Sequence, residues 1–352
     1  MNYSWIKSMA GKKTGGAWFD HGDCDALDFV EQAYQSVLAG ANELVIFNYG
    51  SFVNGHAGHH LLRMDFEKLA RLAKTLKTSP IHGIAGYKPP HSEAGGDLYI
   101  MDFVGMFGIP LMPMAYYPEN EATIFLPTQA AADPEIVRKV MASHRQGKRI
   151  IMTAGFLAKV ADKGKLSKLS GILKPEVGVI SVDKIILDGS ETPLEKPLDL
   201  EATLEIKNAI AMLEVKWGNS TVPFLTKSID GQLYVLNSHT FSEADFKAVG
   251  EVLLCPRPLG LLDLPTSWAN VLRSVFNEQL QIALEAPTRI TMQPLENGDV
   301  ILHNYNQKDV ELQLNGLDNK GLLDAFIGQK LDTSSGTVKM KPRSRLWLMK
   351  TD

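Results

Sequence analysis

Cysteine is nearly absent from this chain of 352 residues: Cys24 and Cys255 are the only two. Two thiols so far apart in sequence make neither a disulfide framework nor a zinc-ligand spacing. Long apolar runs are missing as well. Nowhere does the sequence sustain the roughly 18 apolar residues of a membrane-spanning helix, so no membrane role is expected. Residues 1–13 lack an apolar stretch followed by the small-residue cleavage site of a secretory leader. Cytoplasm, or periplasm after removal of a leader, both fit. Charge of one sign is scarce too. The formal net charge of −4 gives no electrostatic ground to expect nucleic acid. The densest basic stretch, 138–174, has Asp162 and Glu176 nearby and reads as a solvated face rather than a binding patch. What remains is an ordinary globular composition, 45% apolar and 22% charged, which can bury a core. The length suggests two or three domains.

Three blocks differ in pattern. In the first, 1–79, Gly15-Gly16-Ala17-Trp18-Phe19-Asp20 reads as a short strand. Leu27, Val30, Ala33, Tyr34, Val37 and Leu38 then recur at helical spacing, and Gly40 ends the helix. Leu44-Val45-Ile46-Phe47 is a continuous apolar strand of the kind covered on both faces. A glycine-rich loop and a helix over 64–76 follow. Strand, helix, strand, helix with short links predicts parallel α/β architecture. The second block, 80–284, opens with a Pro/His/Gly-rich stretch. Its pattern predicts a helix over 97–107 stopped by Gly108, a strand over 112–116, and a helix started by Asp133 with Pro134 in its first turn. A buried strand at 149–153 turns through Ala154-Gly155 into another helix, 170–223 is strand-rich, and 232–237 is a strand. A helix over 265–280 carries Trp268, Val271, Leu272, Val275 and Phe276 on one face. The third block, 285–352, changes to short strands around an Asn297-Gly298 hairpin turn, a small all-β sandwich.

Three stretches in this order resemble one known layout: Phe29 to Tyr49, Val137 to Thr153, and Gly298 to Asn306. They look like a late barrel helix with the last barrel strand, the helix-Gly-basic-strand-Thr run of an amidotransferase-like domain, and a closing sandwich. The chain resembles the C-terminal part of β-galactosidase-like glycoside hydrolases, which carry a TIM barrel, an amidotransferase-like trimerisation domain and a short β-sandwich. The resemblance implies an α/β fold with partial barrel-like βα units, a flavodoxin- or amidotransferase-like domain and a C-terminal sandwich. It also implies a carbohydrate ligand, no cofactor and a homo-oligomer. Two departures stand out. A TIM barrel needs eight βα units over about 250 residues, and the first block has room for two. The elbow Met152-Thr153-Ala154-Gly155-Phe156 has no cysteine, so glutamine amidotransferase activity is not expected.

Candidate site residues cluster at strand ends, where α/β barrels place their chemistry. Asp20-His21-Gly22-Asp23-Cys24-Asp25 follows the first strand, and Asn48, Tyr49 and Ser51 follow the second. Glycoside hydrolysis uses two carboxyl groups, which makes Asp20 and Asp23 the candidate catalytic pair. His21, Asn48 and Tyr49 are candidate sugar contacts. Capping and loop structure are the commoner use of such residues: Asp25 is well placed as an N-cap, with Asp28 three residues on. His56, His59 and His60 lack a carboxylate or cysteine at a metal spacing, so no metal site is expected. They read as a polar loop over the sheet edge, with His56 open to sugar contact. Tyr116 ends a strand and is placed either to stack on a sugar or to pack in the core. The reading is a glycoside hydrolase-related protein acting on or binding carbohydrate. The alternative is a non-catalytic carbohydrate-binding or oligomerisation module.

Overall fold

A computed structural model describes every residue except 1, 23, 48, 161–162, 174, 243–244, 246–262, 318–320, 334 and 351–352. The first block holds α1 (Asn2–Ala10), β1 (Ala17–Phe19), α2 (Ala26–Leu38), β2 (Leu44–Ile46), α3 (Tyr49–Val53) and α4 (Ala57–Thr78). β1 and β2 pair in parallel, Ala17 with Leu44, Trp18 with Val45 and Phe19 with Ile46. The α2 helix follows from its apolar stripe, all of it buried: Phe29, Val30, Ala33, Tyr34, Val37 and Leu38. Gly40 ends it in the left-handed region, at φ +79°. The expectation that the second strand is covered on both faces does not hold. Phe19 packs inward on Phe29, at 5.2 Å between ring centroids. Trp18, Ile46 and Phe47 are instead 63%, 40% and 53% exposed, because this sheet has two strands and the apolar cluster of α2 and α4 covers its Phe19 side. The helix expected over 64–76 is longer and begins at Ala57. His56 caps it and His59 and His60 lie in its first turns, so these histidines do not form a loop over a sheet edge.

A nine-stranded mixed sheet forms the middle of the chain. It contains β3 (Ile84–Tyr87), β4 (Leu111–Met114), β5 (Thr123–Leu126) and β6 (Arg149–Thr153), with α5 (Ile100–Gly105) and α6 (Ile136–Arg145) between them. Then come α7 (Ala154–Lys159), α8 (Lys163–Ser170), β7 (Glu176–Leu187), β8 (Ser190–Thr203), β9 (Ala209–Trp217), β10 (Ser220–Ser228), β11 (Leu233–Leu236) and α9 (Thr266–Phe276). The order is β4-β3-β5-β6-β11-β10-β9-β7-β8. The first five of these strands are parallel and the rest antiparallel. Period-two alternation splits the parallel strands between two cores. Phe125, Ile151, Tyr234 and Leu236 face Trp268, Leu272, Val275 and Phe276 of α9. Ile124, Leu126, Ile150, Met152 and Val235 face α6 and α7. The helix expected over 97–107 is shorter. Gly95–Asp97 is a 3-10 turn, and the α-helix runs from Ile100 to Gly105. Asp97 is drawn out of the helix by hydrogen bonds to Thr128 and Thr153.

The last block is a sandwich of β12 (Ala283–Glu285), β13 (Ile290–Pro294), β14 (Val300–Asn304), β15 (Val310–Asn315), β16 (Leu322–Asp324), β17 (Gln329–Lys330), β18 (Val338–Met340) and β19 (Ser344–Lys350). Its sheets run β12-β15-β18 and β13-β14-β19-β16-β17. The Asn297-Gly298 turn joins β13 to β14, with Gly298 at φ +88°. Val300 and Leu302 point into the sandwich core. Ile301 and Trp347 point the other way, into a cluster with Phe29, Tyr34, Leu69 and Leu72 of α2 and α4. The first block is therefore seated on the last one, across the whole length of the sequence.

Candidate functional site

Parallel pairing of β1 and β2 puts both C-terminal ends on one side, and the segments after them meet there. Asp20 follows β1. Its backbone carbonyl accepts from Gln32 Nε2 of α2 at 2.9 Å, and its Oδ1 accepts the Gly22 N–H at 2.7 Å. The His21 ring lies 5.6 Å from that of His56, and His21 Nδ1 is buried with no hydrogen-bond partner. His56 Nδ1 accepts the Gly58 N–H at 3.1 Å and so caps α4. His59 Nε2 is 2.9 Å from the buried Ser51 hydroxyl, and its ring stacks edge-on against Phe29 at 4.9 Å. Burial, with His56 and His21 nearby, lowers the pKa of His59 below the usual histidine value and so favours the neutral ring. Gly58 permits this arrangement: a Cβ there would lie 2.6 Å from the Phe29 ring.

Of the residues singled out from sequence, Asp20, His21 and His56 share this strand-end cluster. Asp23 and Asn48 lie outside the described residues, and Tyr49 is the first residue of α3. Tyr116 follows β4 of the nine-stranded sheet, is 66% exposed, and makes none of the site contacts among the described residues. Asp25 does cap α2, accepting from Leu27 N and Asp28 N, and Arg343 of the sandwich holds it at 2.5 and 2.6 Å. That guanidinium holds the Asp25 carboxyl down at about 2. Cys255 is outside the described residues. Burial, then the charges of Asp28, Asp20 and Asp25, push the Cys24 thiol up to about 11, so it carries no thiolate near neutrality.

Sequence reading missed two features. The Ser51–His59 pair depends on α3 folding back on α4, which no spacing rule announces. The other is a carboxyl pair at the elbow after β6. Thr153 Oγ1 accepts the Phe156 N–H at 3.1 Å and donates to Asp97 Oδ2 at 2.6 Å, so the hydroxyl at the elbow is bound on both sides. Burial raises Asp97 above the usual carboxylate range against its threonine hydrogen bonds. Burial and then Asp97 push Glu201, on β8, up to about 7.

On the outer side of β1, Trp18 stacks on Phe47 at 6.1 Å with 21° between the ring planes. The outer edge of the strand is occupied by α1: Tyr3 OH accepts the Trp18 N–H at 2.8 Å and donates to its carbonyl at 3.4 Å. Among the described residues, no group of three or more His, Cys, Asp or Glu side chains has metal-binding geometry.

Comparison with known proteins bears on this site. Residues 1–80 match the family described as "Probable glycosyl hydrolase, catalytic domain". Residues 81–241 match "Uncharacterized protein SSO3021, second domain". Among solved structures, the chain is similar to Gan42B, a GH42 β-galactosidase from G. stearothermophilus, with a TM-score of 0.58 and 13% identity over 100% of this chain and 56% of that one. It is similar to a β-galactosidase from the Antarctic haloarchaeon Halorubrum lacusprofundi, with a TM-score of 0.52 and 13% identity over 100% and 55%. It is also similar to α-L-fucosidase isoenzyme 2 from Paenibacillus thiaminolyticus, with a TM-score of 0.53 and 12% identity over 99% and 62%. The chain thus spans little more than half the length of these proteins. No curated protein sequence matches it. At such identities the likeness is one of fold. The β-galactosidase-like relationship expected from sequence is supported on that level: a large mixed sheet and C-terminal antiparallel strands are present, and no closed barrel is formed among the described residues.

Proposed function

We propose that this chain is a glycoside hydrolase-related protein that acts on or binds a β-galactoside-like carbohydrate at the C-terminal ends of β1 and β2. The observation that carries the reading is the meeting of Asp20 and His21 with His56 at one end of a parallel strand pair, within the segment that matches the glycosyl hydrolase catalytic-domain family. Strand ends are where α/β barrels place chemistry. In this reading Asp20 Oδ2 is the acceptor for a sugar hydroxyl or one of the two carboxyls of hydrolysis, since Oδ1 is engaged by the loop. Asp23 is the candidate for the other. The histidine rings offer hydrogen bonds to sugar hydroxyls. Turnover of aryl β-galactosides and related aryl glycosides tests the enzyme reading. Asp20→Asn should lower kcat/KM by about 100-fold or more, the range of a lost acid–base group. Wild-type turnover in that variant would remove Asp20 from the chemistry.

The exposed Trp18–Phe47 stack favours a second reading, a non-catalytic carbohydrate-binding or oligomerisation module. Aromatic faces of this kind suit either the apolar face of a pyranose or another protein surface. If no aryl glycoside turns over, titration calorimetry with galactosides and light scattering separate these uses. Trp18→Ala should abolish sugar binding in one case and lower the oligomer mass in the other.

A further inference from the structure

The nine-stranded sheet gathers a second cluster of polar side chains at its strand ends, independent of the site above. β3 lies between β4 and β5, so the chain leaves β3 in one direction and returns on its other side. Ligands of open α/β sheets sit outside the carboxyl ends of the strands at such a switch point. Asp97, from the loop after β3, is here hydrogen-bonded to Thr128, from the turn after β5, through both the backbone N–H (2.7 Å) and the hydroxyl (2.6 Å). Thr153, at the end of β6, donates to the same Oδ2. Three donors therefore anchor one oxygen. The other, Oδ1, has no hydrogen-bond partner although Asp97 is only 1% exposed. An unpartnered carboxylate oxygen this deeply buried carries a desolvation cost that a ligand removes.

Glu201, on β8, approaches the same cluster. Its carboxylate lies against two glycines: a Cβ on Gly155 would collide with Glu201 Oε2 and the Thr128 hydroxyl, and a Cβ on Gly96 would collide with the Thr240 hydroxyl and lie 3.1 Å from Glu201 Oε1. Two carboxylates and two threonine hydroxyls thus converge where both loops lack side chains. The side-chain groups that meet here are oxygens: the Asp97 and Glu201 carboxyls and the Thr128 and Thr240 hydroxyls, with the Thr128 and Gly96 backbone N–H groups bonded to the carboxyls. Lys159 acts on Glu201, whereas Asp97 is opposed by hydrogen-bond donors alone. We propose that Asp97 and Glu201, with the Thr240 hydroxyl, hold a hard divalent cation such as Ca²⁺ or Mg²⁺. The cation balances the charge of the pair, satisfies Asp97 Oδ1 and ties β8 to the loops after β3 and β5.

The test uses the full chain, stripped with a chelator and desalted. Equilibrium dialysis should find about one Ca²⁺ or Mg²⁺ per chain, and calorimetry a saturable rise in Tm of about 5 °C. Glu201→Gln keeps the shape and hydrogen-bond capacity but removes one charged ligand. It should weaken the apparent metal affinity at least tenfold while the variant stays folded. Asp97→Asn is the second variant, with the same expected loss. Stoichiometry below about 0.1 for both metals in the wild-type chain overturns the proposal without any variant. So does metal affinity unchanged in Glu201→Gln, which would place the ion elsewhere. A pair bridged by a proton alone would give the first of these outcomes.

Discussion

Gly58 shows how two effects of similar size compete at one residue. It lies in the first turn of α4, where alanine would favour the helix by about 1 kcal/mol. Its missing Cβ, however, is the space that the Phe29 ring fills, with three ring and Cβ atoms at 2.6–2.8 Å from where a methyl would sit. Overpacking of that kind costs about 1–3 kcal/mol, so contact outweighs propensity. Gly58→Ala should therefore lower stability in urea melts, with the m-value unchanged. It should also shift the His56 and His59 ring resonances, since both rings pack on Phe29. A gain in stability would show that α2 and α4 separate freely.

At the scale of elements, α2 is held from three sides by residues that a local reading only partly supplies. Its N-cap is local: Asp25 accepts from Leu27 N and Asp28 N. The rest comes from the sandwich. Arg343 pairs with Asp25 and Asp28, Arg345 with Glu31 and Asp65, and Tyr305 OH donates to Glu31 at 2.9 Å. Asp25→Ala should cost about 1–2 kcal/mol by loss of the cap. Asp25→Asn keeps the cap and removes only the charge opposite Arg343. Thermal unfolding should rank wild type above Asp25→Asn and Asp25→Asn above Asp25→Ala. Equal loss in both variants would put the contribution in the ion pair instead. β6 illustrates the opposite case. Its run Arg149-Ile150-Ile151-Met152-Thr153 alone predicts a buried strand, and the structure buries its two faces against separate cores.

On the scale of the molecule, the junction between the first block and the sandwich predicts a pH dependence. Burial pushes the His303 imidazole down to about 4, against the pull of Glu31. Burial works against the Glu31 charge as well. Nearby His303 and Arg345 and the hydrogen bonds from Gln35 and Arg345 outweigh it and hold that carboxyl below its usual value. Both shifts have one sign. Between the ordinary histidine value near 6.5 and about 4, the unfolded chain binds a proton at His303 that the folded chain does not. Stability is therefore full above 6.5 and declines as pH falls through this window, with Glu31 adding to the loss below the usual carboxylate range. Tm measured from pH 7.5 to 4 should fall along this limb, and His303→Gln should flatten the part above the carboxylate range. An unchanged slope in the variant would assign the decline to other groups.

Much of this architecture is legible in order of residues alone. The helical stripe of α2, the apolar run of β6, the Asn297-Gly298 hairpin and the Asp25 cap are local patterns, and local patterns are set by side-chain periodicity and backbone preference. The gathering of Asp20 and His21 with His56 was foreseeable only as far as parallel strands put their ends together. What tertiary structure alone decided is which groups lose water together. No spacing rule relates Asp97 to Glu201, or Glu31 to His303 and Arg345, because these pairs meet through sheet order and domain seating across long separations. The same holds for the exposed Ile46 and Phe47. Their sequence is that of a doubly covered strand, and the number of strands beside them determines whether it is one.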